Sequence, residues 1–377
     1  MAELLTNTTD LTKVASAIRE KGGTSDSLVY PDGFVTAIQA IQTGTELQII
    51  VSGTSGATVT ATKGSKDVSG TLVNGTCTLV VPEAGTWSVK ATRNGQTSDT
   101  KSVTFTDRYA LEFFLVSDVL NDNDWGTIKK VSDAGQGANY WSVGDRKAVT
   151  LNGTVGHLTL SNVTTYAFII GFNHNASVEG TNRIHFQLAK TALSGGKDVC
   201  LCDSIYNSIV STTGYFSMNI SRTNSGGWAS SQMRTNICGT SLSNYAGTII
   251  AVIPAELRAV LKSVTKYTDN TANGGGLTES YVTATTDYFF LLSEYEVFGS
   301  TTYANSNEKN KQAQYAYYSA GNSTIKYKHD GTSTASYWWL RSPIASNSFR
   351  FVRVNPDGTG YTYFANSSLG FAPGFCV

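Results

Sequence analysis

The sequence predicts an α+β protein that is β-rich and multidomain, and three observations lead there. At 377 residues the chain is longer than one ordinary small domain, so two or three are expected. Its 36 glycines and few helical runs accompany short stretches in which apolar and polar residues alternate between turn signals. Charged residues make up only 15% and the formal net charge is zero, so the surface must be built from Thr, Ser, Asn, Gly and Tyr. Such a surface has no electrostatic attraction for nucleic acid or an anionic membrane, and neither partner is expected. The longest apolar run, YAFIIGF around Ile169, is far short of a membrane span. The N-terminus lacks a basic stretch followed by an apolar one, so no secretory leader is read there. Five cysteines, odd in number and sparse, argue against a disulfide scaffold and for folding in a reducing cytoplasm.

Residues 1–45 read as a short helical module. Asp10 can cap a helix whose apolar positions Leu11, Val14, Ala15 and Ile18 keep the 3.6-residue period, and Gly22-Gly23 ends it. The segment SDSLVYPDGF leads to a second helix carrying Phe34, Ile38 and Ile41. Two such helices bury too little apolar surface to fold alone, so they should dock on a neighbour or self-associate. The string LTKVASAIREKGGTSDSLVYPDGFVTAIQAI resembles a module of tail-associated proteins in phages of Gram-positive bacteria. That resemblance implies attachment to phage tail components.

Residues 46–106 change character. Leu47, Ile49 and Val51 alternate with polar residues, as do Val59 and Ala61, Cys77 to Val81, Trp87 to Ala91, and Val103 with Phe105. Turn signals (SGTSG, VNGT, PEAG, RNGQ) separate these runs, which predicts an antiparallel β-sandwich with Trp87 in its core. The string PEAGTWSVKAT resembles small immunoglobulin-like spacer domains.

Residues 107–377 form the largest part. One helix is visible, with Pro254 in its first turn and Leu257, Val260, Leu261 and Val264 as its buried stripe. Short strands and long polar loops make up the rest, including a surface excursion at TDNTANGGGLTES. A high ratio of loop to regular structure suits a scaffold whose loops are displayed.

No catalytic motif is present: there is no HExxH, GxSxG, glycine-rich phosphate loop or CxxC pair. The histidines are isolated, and His174 and His185 read as hydrogen-bonding structural residues. Cys200 and Cys202 share a strand face and could hold a metal with Cys238, but apolar Val199 and Leu201 favour buried free thiols. Glu294 and Glu296 would share a strand face as an inward structural pair or a solvated edge rather than a catalytic dyad. Asp287 and Asp145 supply no loop with calcium-ligand spacing. No enzyme activity, catalytic residue, metal or cofactor is therefore expected.

The last segment is the most distinctive. Trp338, Trp339 and Arg341 stand at its head, PGFCV closes it, and Ser, Asn, Gly, Tyr, Thr and Phe fill the space between. Rigid aromatic anchors beside small hydrogen-bonding residues are the mixture of a binding surface. From Leu340 onward there is no Lys, Glu, Gln, Met or Trp.

Seven strings, YWSVGDRKAVTLNG, FIIGFNH, SGGWASSQMR, AVIPAELRAVLKSVTK, DYFFLLSEYEVFG, YWWLRSP and GFAPGFCV, occur in that order. Together they resemble a bacterial and phage domain family with a C-type-lectin-like fold, related in architecture to formylglycine-generating enzymes. The resemblance implies framework roles for Trp228, Met233, Arg234, Trp338, Leu340 and Arg341. Cys238 and Cys376 do not reproduce the cysteine signature of the oxidase relatives, so oxidase activity is not carried over. Within this fold the C-terminal segment resembles the variable region of proteins diversified by retroelements that mutate template adenines. Asparagine codons randomised at their adenines keep a third-position pyrimidine, and they cannot yield the five missing residue types.

The resemblance implies a variable region at about 344–372 with a binding set of Ser346, Asn347, Ser348, Arg350, Arg353, Asn355, Thr359, Tyr361, Tyr363, Phe364, Asn366, Ser368 and Phe371. In FRFVRV, Arg350, Val352 and Val354 should lie on one side and Phe349, Phe351 and Arg353 on the other, either of which could be exposed. The GTGYTYFANSS stretch reads as a contact loop whose Tyr361, Tyr363 and Phe364 supply area. The expected protein is a non-enzymatic receptor-binding component of a phage tail, made in the bacterial cytoplasm and carried on the virion. Its partner would be a host cell-surface protein or glycan. A homotrimer is compatible with a fibre, although no heptad run supports one. The alternative is a bacterial surface or secreted lectin-like protein with a fixed ligand.

Overall fold

β-Branched and aromatic residues at alternate positions drive most of this chain into strands. A computed structural model describes residues 8–22, 27–29, 32–40, 47–105, 109–113 and 115–377. The chain divides into two units, Met1–Leu115 and Val116–Val377, and it is a β-rich α+β protein.

In the smaller unit, α1 (Thr8–Gly22) and α2 (Asp32–Ala40) meet through Ala15, Ile18 and Phe34. α1 begins at Thr8, so Asp10 lies within the helix rather than at its cap. Val14 faces outward, because the short α2 covers only a narrow stripe of its neighbour. The side chain of Ile38 and all of Ile41 lie outside the described residues.

Eight strands follow: β1 (Leu47–Gly53), β2 (Thr58–Lys63), β3 (Lys66–Thr71), β4 (Thr76–Val81), β5 (Gly85–Arg93), β6 (Gln96–Thr97), β7 (Lys101–Phe105) and β8 (Tyr109–Phe113). One sheet has the order β4-β1-β8, and the other has the order β3-β2-β5-β6 with β7 also on β5. Ile49, Val51, Leu79 and Val81 of the first sheet share a core with Val59, Ala61, Val89 and Val103 of the second. Trp87 is fully buried there, and its indole N–H donates to the Glu83 carbonyl at 3.1 Å. The boundary falls at 115 rather than 106. The reason is that β8 pairs in parallel with β1, and Leu115 joins the same core, its N–H donating to Thr54 Oγ1 at 3.0 Å.

The larger unit opens with α3 (Trp125–Asp133), capped by Asp124, whose carboxylate accepts from the Thr127 N–H at 2.7 Å. A long hairpin, β9 (Arg146–Val155) with β10 (Leu158–Phe172), leads to β11 (Ile184–Lys190) and the short β12 (Val199–Cys200). A second hairpin pairs β13 (Val264–Asp269) with β14 (Val282–Asp287), and β15 (Phe289–Phe290) follows. The chain finishes with β16 (Lys326–Lys328), β17 (Gly331–Ser336), β18 (Trp338–Pro343), β19 (Arg350–Val354), β20 (Gly360–Phe364) and β21 (Gly374–Cys376). The main sheet runs β15-β21-β11-β10-β9, and a three-stranded sheet runs β18-β19-β20. Trp125, Phe186 and Phe289 surround Phe375 of β21 with ring centroids 5.2 to 6.2 Å away, which seats the final strand in the core.

Two local expectations change. The helix after Pro254 is a single turn, Ala255–Arg258. Leu257, Val260, Leu261 and Val264 are all buried, but Lys262 already bridges to Cys376 and Val264 starts β13. Glu294 and Glu296 sit in a helix, Glu294–Phe298, rather than on a strand. Ser293 caps it reciprocally with Glu296, and the S-x-x-E spacing that does so overrides the alternating apolar pattern.

Candidate functional site

Two segments of the larger unit frame the residues from 346 to 364. β18 is buried along its whole length, as is the chain from Ala365 to Val377. Between these fixed flanks, β19 and β20 form a hairpin with the register Arg350↔Phe364, Phe351↔Tyr363, Val352↔Thr362, Arg353↔Tyr361 and Val354↔Gly360. β19 is the middle strand, and Phe351, Val352, Arg353 and Val354 are all buried. Neither side of FRFVRV is exposed as a whole: the strand is covered on both faces. The GTGYTYF stretch is the edge strand β20 rather than a loop, because its Tyr-Thr-Tyr alternation pairs with β19.

The side chains named from the sequence separate into three groups. Ser346, Thr359 and Tyr361 are exposed, while Asn347, Ser348, Arg350, Asn355, Tyr363 and Phe364 are half-buried. Arg353, Asn366, Ser368 and Phe371 are buried, which corrects their assignment to a contact surface. Phe371 packs against Phe216 at 5.3 Å, and Ser368 Oγ donates to Asp203 Oδ2 at 2.7 Å. Their burial follows from the chain's return into the core, where the Phe371 and Leu201 backbones pair. Asn355 and Thr359 help to close their own turn, with the Asn355 N–H donating to the Thr359 carbonyl at 2.8 Å.

Long-range contacts complete the rim of β20. Arg222 lies over the Phe364 ring at 3.7 Å, and Arg350 lies 4.9 Å from the same ring. Arg353 is sandwiched between Tyr337 at 3.8 Å and Tyr363 at 4.1 Å. Tyr361 meets Tyr303 edge-on at 5.8 Å. Beside that pair opens a groove of about 300 Å³, lined by Leu277, Thr302, Tyr303, Ile344, Ala345 and Ser346. Leu277 is 62% exposed at its mouth and Tyr361 47% exposed nearby. Asn224 fixes the loop before β19, donating through Nδ2 to the carbonyls of Asn347 at 2.9 Å and Arg350 at 3.0 Å. Arg222, Asn224 and Tyr303 were not legible as site residues, since each reaches the hairpin from a distant segment with no local motif.

A second cluster lies deep in the same unit. Lys266 Nζ donates to Glu179 Oε2 at 2.8 Å, Glu296 Oε1 at 3.0 Å and Tyr315 Oη at 2.8 Å. Arg341 completes it with a two-pronged pair to Glu296, and His174 stacks on Tyr315 at 3.7 Å. Burial, and then Lys266, lower the His174 pKa to about 3, and burial lowers that of His185 well below its usual value. Burial also lifts Glu179 to about 7, whereas Arg341 and Lys266 outweigh burial at Glu296 and hold it low. Among the described residues, His174, Glu179 and Glu296 are the grouping close enough to ligate a metal. Lys266 and Arg341 together already balance the charge of Glu179 and Glu296, so a divalent ion does not fit this donor set. The cluster joins β11, β13 and β18, and so anchors the strand that leads into the hairpin.

The other thiols and carboxylates weighed from the sequence are as follows. Cys200 and Cys202 are buried free thiols with sulfurs 3.9 Å apart, and Cys238 is a separate buried thiol. Asp287 accepts from Arg234 Nε at 2.6 Å and from the Trp228 indole at 3.1 Å. Asp145 instead accepts from the Ser142 N–H at 2.8 Å. Glu294 accepts backbone N–H groups from Thr302, Tyr303 and Ala304.

The site thus belongs to a β-rich α+β unit that exposes a short hairpin rim on a buried frame. Residues 205–377, which hold that rim and most of its frame, match a domain family described as of unknown function, DUF6273. No curated protein sequence matches the chain.

Proposed function

We propose that the chain is a non-enzymatic ligand-binding protein whose larger unit has a C-type-lectin-like fold and carries a retroelement-diversified surface. In this reading it is the receptor-binding component of a phage tail: α1 and α2 attach to tail components, the immunoglobulin-like sheets act as spacer, and the β19–β20 rim contacts a host-surface target. The observation that carries the proposal is the contrast between residues 346–364, where polar and aromatic side chains reach the surface, and their wholly buried flanks. Such a frame lets surface side chains change without disturbing the core.

Sequencing the 3′ end of the gene across a population of its source tests this directly. Substitutions concentrated at template adenines, in codons for Ser346 to Phe364, are expected. Rare substitutions spread evenly along the gene would remove diversification. The second reading, a bacterial surface lectin-like protein with one fixed ligand, draws on the burial of Arg353, Asn366, Ser368 and Phe371, positions where variation is costly.

A further inference from the structure

The cations on the β20 rim differ from those in the core. Lys266, Arg234 and Arg341 each contact a carboxylate. Among the described residues, Arg222, Arg350 and Arg353 have no such partner, and aromatic rings hold all three. Asp357 is the one acid after Glu308 other than Asp330, and its carboxylate is engaged by the Thr359 N–H at 2.9 Å and hydroxyl at 2.7 Å.

Hydrogen bonding points the same way. Arg353 is 93% buried, being only 7% exposed, yet its Nε has no acceptor, and Arg350 Nε is buried in the same condition. Asn355 Oδ1, Asn366 Oδ1 and Ser367 Oγ are also buried and unpaired, so such atoms concentrate between 350 and 367. Stacking a guanidinium on a ring fixes its plane and leaves its in-plane N–H fork available for a carboxylate or phosphate. The two stacks arise on opposite faces of the hairpin, but they meet where the Tyr363 and Phe364 rings approach to 5.6 Å at the open edge of β20. Burial lowers the Arg353 pKa, and the titratable groups facing it most closely are Tyr337, Tyr363, Tyr206 and Tyr361.

We infer that the guanidiniums of Arg222 and Arg350, stacked on Phe364, bind a polyhydroxylated anionic polymer bearing carboxylate or phosphate groups. This rests on the ligand-binding reading above and narrows its ligand class. The neighbouring hydroxyls and amides of Ser346, Asn347 and Ser348 complement the hydroxyl groups of such a polymer, while the arginines take its charge.

The test titrates the whole chain with polygalacturonate, poly(glycerol phosphate) and neutral dextran, followed by calorimetry. At least one anionic polymer should bind and dextran should not, and the anion that binds identifies carboxylate or phosphate as the source. Raising salt from 50 to 300 mM should weaken binding about tenfold or more. A double variant, Arg222→Gln with Arg350→Gln, should weaken it at least tenfold while melting like the parent. Binding of neither anionic polymer, equal binding of dextran, or an unaffected double variant would overturn the inference. Adsorption to bacteria from the source population separates this result from the broader reading. If Tyr361→Ala abolishes adsorption and the double arginine variant does not, the rim binds a neutral ligand and only the anion claim falls. If neither change alters adsorption, both fall.

Discussion

Arg341 and Glu296 form a two-pronged ion pair with both side chains wholly out of solvent, Arg341 Nη2 donating to Glu296 Oε1 at 2.9 Å. Removing one partner leaves an uncompensated buried charge. Glu296→Gln and Arg341→Met should each destabilise the larger unit by about 3–5 kcal/mol, read as a shifted urea midpoint. The double variant should cost less than the two singles combined, because it buries no orphan charge.

Glu308 gives a pH dependence with a definite sign. Burial lifts its pKa to about 7, above the ordinary value of 4.5, although the Asp269 N–H and Ser342 hydroxyl oppose the shift. A carboxyl that holds its proton more tightly in the folded state stabilises fully below pH 4.5, and that stability is lost as pH rises through 7. Glu308→Gln should therefore flatten the decline in urea midpoint between pH 5 and pH 8. His174 acts oppositely: lowered to about 3, it contributes stability above 6.5 that is lost as pH falls toward 3.

Two positions in the C-terminal segment should behave in opposite ways. Phe371→Ala empties part of the core beside Phe216 and should cost about 3–5 kcal/mol in a thermal or urea melt. Tyr361→Ala, at an exposed ring, should stay within about 0.5 kcal/mol in the same melt and reduce adsorption instead. Equal destabilisation by the two would contradict the division between rim and frame.

Gly370 is required for close approach. A Cβ there would collide with Cys200 Sγ and stand 2.7 Å from the Tyr337 carbonyl oxygen. Gly370→Ala should lower the urea midpoint by the equivalent of about 1–3 kcal/mol, the usual cost of overpacking. Combining it with Cys200→Ala should recover part of the loss but not all, since the backbone clash with Tyr337 remains.

Local pattern carried the smaller sheets well: Val59, Ala61, Val89 and Ala91 alternate with polar residues, and all four are buried. It failed where one pattern suits two structures. Leu257, Val260, Leu261 and Val264 fit a helical stripe, yet the same spacing is met by one turn that gives way to a strand. In the candidate site, Tyr361 and Ser346 were found because composition marks the segment, while Arg353 was placed outside because a single charge on a strand does not reveal two tyrosines waiting for it. Arg222 was invisible for a plainer reason: Phe364 lies far along the chain, and no local rule links them.

The position of β21 has a genetic consequence. The strand lies between β15 and β11, so residues encoded downstream of the rim complete the sheet interior. A stop codon or a shifted reading frame arising within 346–364 deletes or scrambles that strand, and the larger unit loses Phe375 from its aromatic core. Only messages that keep their frame through the rim therefore encode the strand that completes this sheet.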